Sequence, residues 1–252
     1  MTESEKRNHP DYLQKASMYD LLAQLYKYTN PQLHMHFYLK HFKYINKAIT
    51  QMRSPIQTSQ GEAEVRFLHT SPDSPNIDVY IQGNRVIKDL AFKQDSPFLR
   101  LKPGKYHIDI YPAGNMVDSV LNKQITVDAG RHYTLTTIES VKKMRLLVYL
   151  NEPEVPVNEA KVRFIHLSPD SPALDIAVKE RDIIFPNVSY KQATEYLGLT
   201  PMTVNLEARA AGSKEILLAL PKASFKPNES YTIIFLGLSK DKPAFQYITL
   251  KD

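Results

Sequence analysis

A chain of 252 residues with 42% hydrophobic and 23% charged side chains suits one large folded domain or two ordinary ones and argues against wholesale disorder. It contains no cysteine, which excludes disulfide scaffolds, thiolate metal sites and cysteine nucleophiles. Of the net +5, residues 1–61 carry +4 (eight basic and four acidic side chains), residues 62–152 carry +1 and residues 153–252 none, so the later segments lack the clustered charge of a nucleic-acid face and nucleic acid is an unlikely partner.

The opening stretch, MTESEKRNHPDYLQKAS, has no apolar core behind its charges and does not read as a secretory signal. A cytoplasmic location is the expectation from that feature, with spore or cell-surface association as the other option. Leu13, Leu21, Leu22, Leu25 and Tyr26 fall at helical spacings within Asp11–Tyr28. Asn30-Pro31 then supplies an N-cap and a proline at the first helical position. Tyr38, Phe42, Ile45, Ile49 and Met52 follow at steps of 4, 3, 4 and 3, the face of a second helix. The pattern predicts an α-helical hairpin over about residues 11–53, then a polar linker from Ser54 to Gly61. This leader, residues 1–61, holds four of the eight histidines and six of the fifteen tyrosines. His34 and His41 are seven apart, too far to share a metal without a third ligand, and Tyr38 between them is a poor one. The reading is an interface lined by Tyr38, Phe42, Ile45 and Ile49, through which the leader meets a protein partner or another copy.

From residue 62 the chain repeats itself. Val65–Pro75, VRFLHTSPDSP, and Val162–Pro172, VRFIHLSPDSP, agree at nine of eleven positions at an offset of 97. The match continues at an offset of 98: Leu101-Lys102-Pro103 meets Leu199-Thr200-Pro201, and Tyr133-Thr134 meets Tyr231-Thr232. The hydrophobic period inside each copy is two, as in Val65, Phe67, His69 and in Ile77, Val79, Ile81, with turn signals at Gly83-Asn84, Pro103-Gly104 and Ala113-Gly114. This predicts a mainly β chain: two tandem immunoglobulin-like antiparallel β-sandwiches of seven or eight strands, residues 62–152 and 153–252, behind the helical leader. Asn151–Glu159, with two prolines and three glutamates, reads as a stiff linker.

The repeated H-x-S-P-D-S-P places His69, Ser71 and Asp73, and again His166, Ser168 and Asp170, within five residues. A hydrolytic triad draws its members from distant segments and adds an oxyanion hole. The motif is therefore read as structural, with the histidine turned inward onto a loop shaped by Ser, Asp and Pro, and no catalytic residue is assigned. Arg66 with Asp78, and Arg163 with Asp175, are expected as outward cross-strand ion pairs on adjacent strands. Tyr80 and Tyr111 face outward in the first copy and could stack on a ligand; their counterparts are Ala177 and Arg209. No metal and no cofactor is predicted: the H-E-x-x-H, Walker A and dinucleotide patterns are absent.

The V-R-F-[LI]-H-x-S-P-D-S-P run followed by [IL]-D-[VI] resembles the start of the family catalogued as domain of unknown function 4397. That family carries a Val-Arg start, a histidine, Ser-Pro-Asp-Ala-Pro and then Val-Asp-Val-Tyr. Ser74 and Ser171 stand in place of the usual alanine, and Ala177 in place of the usual tyrosine. The resemblance covers residues 62–252 and implies bacterial β-sandwich modules, mostly of envelopes, with no catalytic residue to carry over. A non-enzymatic structural or interaction module is the expectation, at a cell surface or in a spore layer. The alternative is a protein that binds or hydrolyses carbohydrate or cell-wall polymer at the junction of the two β domains, with Asp109 or Glu207 in a shared cleft. No run of about 18 apolar residues predicts a transmembrane helix.

Overall fold

The computed structural model describes residues 9–52 and 61–252, with backbone alone at helical residues 9–11, 31, 35, 46, 47 and 49–52. The expected polar linker falls almost wholly outside the described residues. The helices form one compact unit and the strands another.

In the helical unit, α1 (His9–Tyr26) and α2 (Pro31–Met52) are joined by a short turn. Asn30 caps α2, its Oδ1 accepting the Leu33 N–H at 3.1 Å. The buried alanines Ala16, Ala23 and Ala48 let the helices approach closely. Tyr19 stacks on Phe37 and Tyr44, and Tyr26 on Phe37, with centroids 5.4–6.3 Å apart. His34 Nδ1 lies 2.8 Å from the Ala23 carbonyl oxygen and His41 Nδ1 3.0 Å from that of Ala16. The seven-residue spacing of the histidines thus matches carbonyls seven apart on the neighbouring helix. The packed face of α2 is His34, Phe37, His41, Tyr44 and Ala48, whereas Tyr38 (46% exposed) and Phe42 (55%) lie open and Ile45 is half-buried. The Tyr38 series is therefore not the face that meets α1; the side chain of Ile49 lies outside the described residues.

The β unit holds sixteen strands. The first eight are β1 (Ala63–His69), β2 (Ile77–Ile81), β3 (Asn84–Leu90), β4 (Leu99–Leu101), β5 (Gly104–Pro112), β6 (Leu121–Val127), β7 (His132–Ile138) and β8 (Arg145–Asn151). The second eight are β9 (Ala160–His166), β10 (Leu174–Val178), β11 (Ile183–Val188), β12 (Leu197–Leu199), β13 (Met202–Ala210), β14 (Ile216–Phe225), β15 (Glu229–Leu236) and β16 (Gln246–Lys251). Each set builds two four-stranded sheets in the same order: β4-β1-β7-β8 with β3-β2-β5-β6, then β12-β9-β15-β16 with β11-β10-β13-β14. The expectation of purely antiparallel sheets is corrected at one ladder per sandwich. β1 runs parallel to β7, with Val65 opposite Tyr133, and β9 runs parallel to β15, with Val162 opposite Tyr231. Alternation records which face a residue occupies but not the direction of its neighbour.

Inward residues such as Val65, Phe67, Val79, Ile108, Ile110 and Leu135 fill the first sandwich. Val162, Phe164, Ile176, Leu206, Ile233 and Phe235 fill the second. A third core lies between the sandwiches, where the β1 and β9 sheets face each other: Leu68, Ile138, Ile165, Leu167, Ile234, Leu236 and Leu250, flanked by Phe92, Tyr149 and Tyr190. Several members correspond between copies, Leu68 with Ile165, Ile138 with Leu236 and Phe92 with Tyr190, while Leu167 and Ile234 fall at the places of Thr70 and Thr136. The junction is thus near-symmetric, like the isologous face of a twofold dimer. The connecting segment, from Glu152 onward, is tied to the second sandwich: Ser230 Oγ donates to the Glu152 carbonyl at 3.2 Å, and Asn158 N–H donates to Asn228 Oδ1 at 2.8 Å.

Candidate functional sites

The two motif loops follow the junction strands β1 and β9. His69 and His166 are fully buried at the strand ends. His69 Nε2–H donates to the Pro75 carbonyl at 3.1 Å, which leaves Nδ1 to accept the Thr137 hydroxyl at 2.8 Å. His166 Nε2–H donates to the Pro172 carbonyl at 3.0 Å, and its Nδ1 accepts the Ser168 N–H at 3.3 Å. The carbonyl partner selects the same neutral tautomer in both copies. Burial lowers the proton affinity of both rings, against the smaller opposing effect of those carbonyls. Neither imidazole is bonded to a serine hydroxyl: Ser71 Oγ is buried with no hydrogen-bond partner among the described residues, and Ser168 Oγ donates to Asp170 Oδ1 at 3.3 Å. The carboxylates reach across to the loops that follow β7 and β15. Asp73 Oδ1 accepts the Val141 N–H at 3.1 Å; Asp170 accepts those of Ser239 at 2.8 Å and Lys240 at 3.1 Å. Burial would raise the Asp170 carboxyl, yet these N–H donors outweigh it and hold it below its ordinary value. No base, nucleophile and orienter are lined up in either loop.

The expected Arg66–Asp78 and Arg163–Asp175 pairs do not form. β1 and β2 lie in different sheets, as do β9 and β10, so these residues are not cross-strand neighbours. Asp78 instead accepts the Arg85 guanidinium at 3.2 Å and the Asp89 N–H at 2.7 Å, where Asp89 has φ 57°. Asp175 takes the same role, accepting N–H groups of Asn187 (φ 53°) and Gly212 at 2.7 and 2.8 Å. Both carboxylates thus hold a left-handed backbone position that costs energy in a non-glycine residue.

The arginines are buried in the junction, Arg66 at 2% exposure and Arg163 at 4%. Arg66 reaches into the second sandwich, with Nη1 donating to the Lys251 carbonyl at 2.7 Å and Nη2 to Asp252 Oδ1 at 2.6 Å. Arg163 reaches back, with Nη1 donating to the Leu150 carbonyl and Nη2 to Asn151 Oδ1, both at 2.6 Å. Two threonines complete the circuit. Arg66 Nε and Asn151 Nδ2 donate to Thr134 Oγ1, each at 2.9 Å. Arg163 Nε donates to Thr232 Oγ1 at 3.0 Å, and that hydroxyl donates to Asp252 Oδ2 at 2.8 Å. Arg66, Asp252, Thr232, Arg163, Asn151 and Thr134 therefore form a closed ring of hydrogen bonds spanning both sandwiches. Phe98 and Tyr196 cover the two guanidinium groups at 5.0 and 4.7 Å. The ring holds two guanidinium groups and one carboxylate. Burial lowers the proton affinity of Arg66 despite the neighbouring Asp252.

Tyr80 and Tyr111 lie on the far side of the first sandwich, on the outer face of the β3-β2-β5-β6 sheet. Register sets Tyr80 opposite Asp109 and Asp78 opposite Tyr111. The rings are 5.2 Å apart with planes at 70°. Tyr80 was expected to be outward and open; it is on the outer face but only 8% exposed, and its hydroxyl is buried with no partner among the described residues. Tyr111 is half-buried. With Gly83, Asp109 and Met116 they line a cavity of about 200 Å³. Asn122 Nδ2 donates to Asp109 Oδ1 at 2.7 Å, and His107 Nε2 lies 3.3 Å from the same oxygen.

Asp109 and Glu207 do not meet in a cleft at the junction. Both lie on outer sheets, and the junction sheets are packed together by the third core. Glu207 is paired with Arg209 at 2.8 Å. Among the described residues no cluster of three or more His, Cys, Asp or Glu could hold a metal ion, and no helix is long and apolar enough to cross a membrane. Sequence reasoning missed Thr134, Asn151, Thr232 and Asp252. The available signal was the apolar residue beside each arginine on its strand's outward face, Leu68 and Ile165, which has no reason to be apolar unless covered.

Among curated proteins, none matches the chain in sequence. Solved structures similar to it include a family CBM26 module of Amy13K from Eubacterium rectale, in complex with maltoheptaose (9% identity, 76% of this chain and 97% of that one, TM-score 0.24). A protein assigned to cell adhesion from Bacteroides eggerthii matches at 8% identity over 78% of this chain and 97% of its own, TM-score 0.24. A fimbrial assembly protein from Parabacteroides distasonis matches at 10% identity over 76% and 98%, TM-score 0.22. Superpositions this loose fix neither ligand nor partner. The doubled motif is decisive instead: the model of one family matches residues 63–177 and again 160–252, so the chain belongs to the family described as Domain of unknown function (DUF4397).

Proposed function

We propose that this protein is a non-enzymatic interaction module in which two immunoglobulin-like sandwiches act as one rigid body and the leader helices supply the docking surface. The observation that carries this reading is the apolar surface on the helices. Leu21 and Leu25 on α1 are each 65% exposed, and Tyr38, Leu39 and Phe42 on α2 are open as well. Exposed apolar side chains four apart on a helix, Leu21 with Leu25 and Tyr38 with Phe42, mark surface that a partner covers. The partner is a protein or a second copy of the leader, with a bacterial surface, which the family resemblance favours, or a spore layer as the setting. The motif loops support the non-enzymatic part, because their imidazoles and carboxylates are engaged in holding neighbouring backbone.

Deletion of residues 1–53 tests the proposal. The truncated protein should keep the near-ultraviolet signature and cooperative melting of the β unit while losing self-association in sedimentation and localisation in the cell. Normal assembly and localisation without the helices would refute the docking role.

A further inference from the structure

The two copies differ on the outer faces of their outer sheets. In the first, the Tyr80–Tyr111 corner and Asp109 surround a cavity of about 200 Å³. In the second, the corresponding positions are Ala177, Arg209 and Glu207. Register keeps them on one face, with Ala177 opposite Glu207 and Asp175 opposite Arg209. There Arg209 grips Glu207 through Nε at 3.0 Å and Nη2 at 2.8 Å, and its guanidinium also approaches the Val178 and Arg181 carbonyls at 3.4 Å. The same place on one fold is an aromatic hollow in one copy and an ion pair in the other.

We propose that the first copy alone carries a binding site for a neutral sugar unit, seated in the Tyr80–Tyr111 corner with its hydroxyls on Asp109. The half-buried Tyr111 ring offers the accessible surface, with the largely buried Tyr80 ring set against it at 70°, and the apolar face of a pyranose packs against such a ring. Asp109 accepts hydrogen bonds from ring hydroxyls, with Asn122 and His107 beside it to hold its orientation. The buried Tyr80 hydroxyl lacks a partner among the described residues, which is costly unless something else supplies one. The lining residues include a carboxylate and no cation, which disfavours phosphate-bearing ligands and so a nucleic-acid strand. The volume is below the roughly 300 Å³ at which drug-sized pockets begin, and suits one ring of a longer chain. This site is independent of the docking role given to the helices.

The test titrates full-length protein with maltohexaose, cellohexaose, xylohexaose and N-acetylchitohexaose, with single-stranded DNA as the anionic comparison. At least one neutral oligosaccharide should bind. Tyr111→Arg, which gives the first copy the residue of the second, should weaken that binding at least tenfold, whereas Arg209→Ala should leave it unchanged. Should Tyr111→Arg lower the melting temperature, Asp109→Asn, which keeps the volume, decides in its place and should weaken binding by a similar factor. Binding by none of the four sugars, equal binding by the deciding variant, or preference for the DNA would overturn the proposal. Loss of assembly on deleting the leader, with sugar binding intact, separates the two readings.

Discussion

Each motif imidazole holds a single proton, on Nε2, because the proline carbonyl six residues on needs a donor there. A second proton would have to sit on Nδ1. At His69 that atom faces the Thr137 hydroxyl, which can rotate to accept; at His166 it faces the Ser168 N–H, which cannot. Proton affinity is depressed in the folded state at both rings, so the unfolded chain takes up protons first as the pH falls. Their contribution to stability is complete above the unfolded value of about 6.5 and is lost as the pH drops below it, by at most about 1.4 kcal/mol per pH unit for each ring. Urea midpoints measured from pH 7.5 to 5 should fall, and a His166→Gln protein, less stable at pH 7.5, should show a flatter profile. A profile as steep as that of the parent would remove His166 from this account. At this scale much was legible. Strand alternation turned His69 and His166 inward, and the packing of Ser, Pro and Asp marked a loop. The fate of Arg66 was not legible, because alternation states which side of a sheet a residue occupies and is silent about what covers that side.

Among the elements, the junction ring shows how a local reading misleads. A β1–β2 hairpin would have made Arg66 and Asp78 neighbours, but β1 pairs with β4 and β7 instead, a non-local choice that no window of sequence contains. The face that α2 turns to α1 was not legible for a related reason. Two stripes one residue apart have equally regular spacing, and the packed one includes His34 and His41, which hydropathy scores as polar. The ring also makes a prediction about Asn151, which occupies the place that Asp252 takes in the other copy. There Thr232 accepts from an arginine and donates to the carboxylate, so Thr134 can do the same for an aspartate. Asn151→Asp should therefore be tolerated and should stabilise the protein by about 1 kcal/mol, the gain of a charge-assisted over a neutral hydrogen bond, read as a higher denaturation midpoint. A lower midpoint would show that the present excess of positive charge in the ring is already compensated.

For the β unit as a whole, the duplication and the two sandwiches follow from sequence because repeats and period-two patterns are local signals; their mutual burial is long-range and does not. The junction core draws on equivalent positions of both copies, Leu68 and Ile165 as well as Ile138 and Leu236. A single repeat consequently carries both halves of the contact. Residues 61–152 produced alone should form a dimer with Arg66 of each copy on Asn151 of the other, observable as a doubled mass in sedimentation, and Leu68→Asp should return it to a monomer or unfold it. Monomeric, stably folded residues 61–152 would contradict the self-complementary reading.

Such a surface has an evolutionary corollary. In a pair of separate identical chains every substitution arrives twice, so neither partner can specialise. Tethering the pair in one polypeptide replaces encounter by a high effective concentration and releases each half to drift independently. Asn151 against Asp252, and Tyr111 against Arg209, are departures of that sort: asymmetries that two identical chains could not carry.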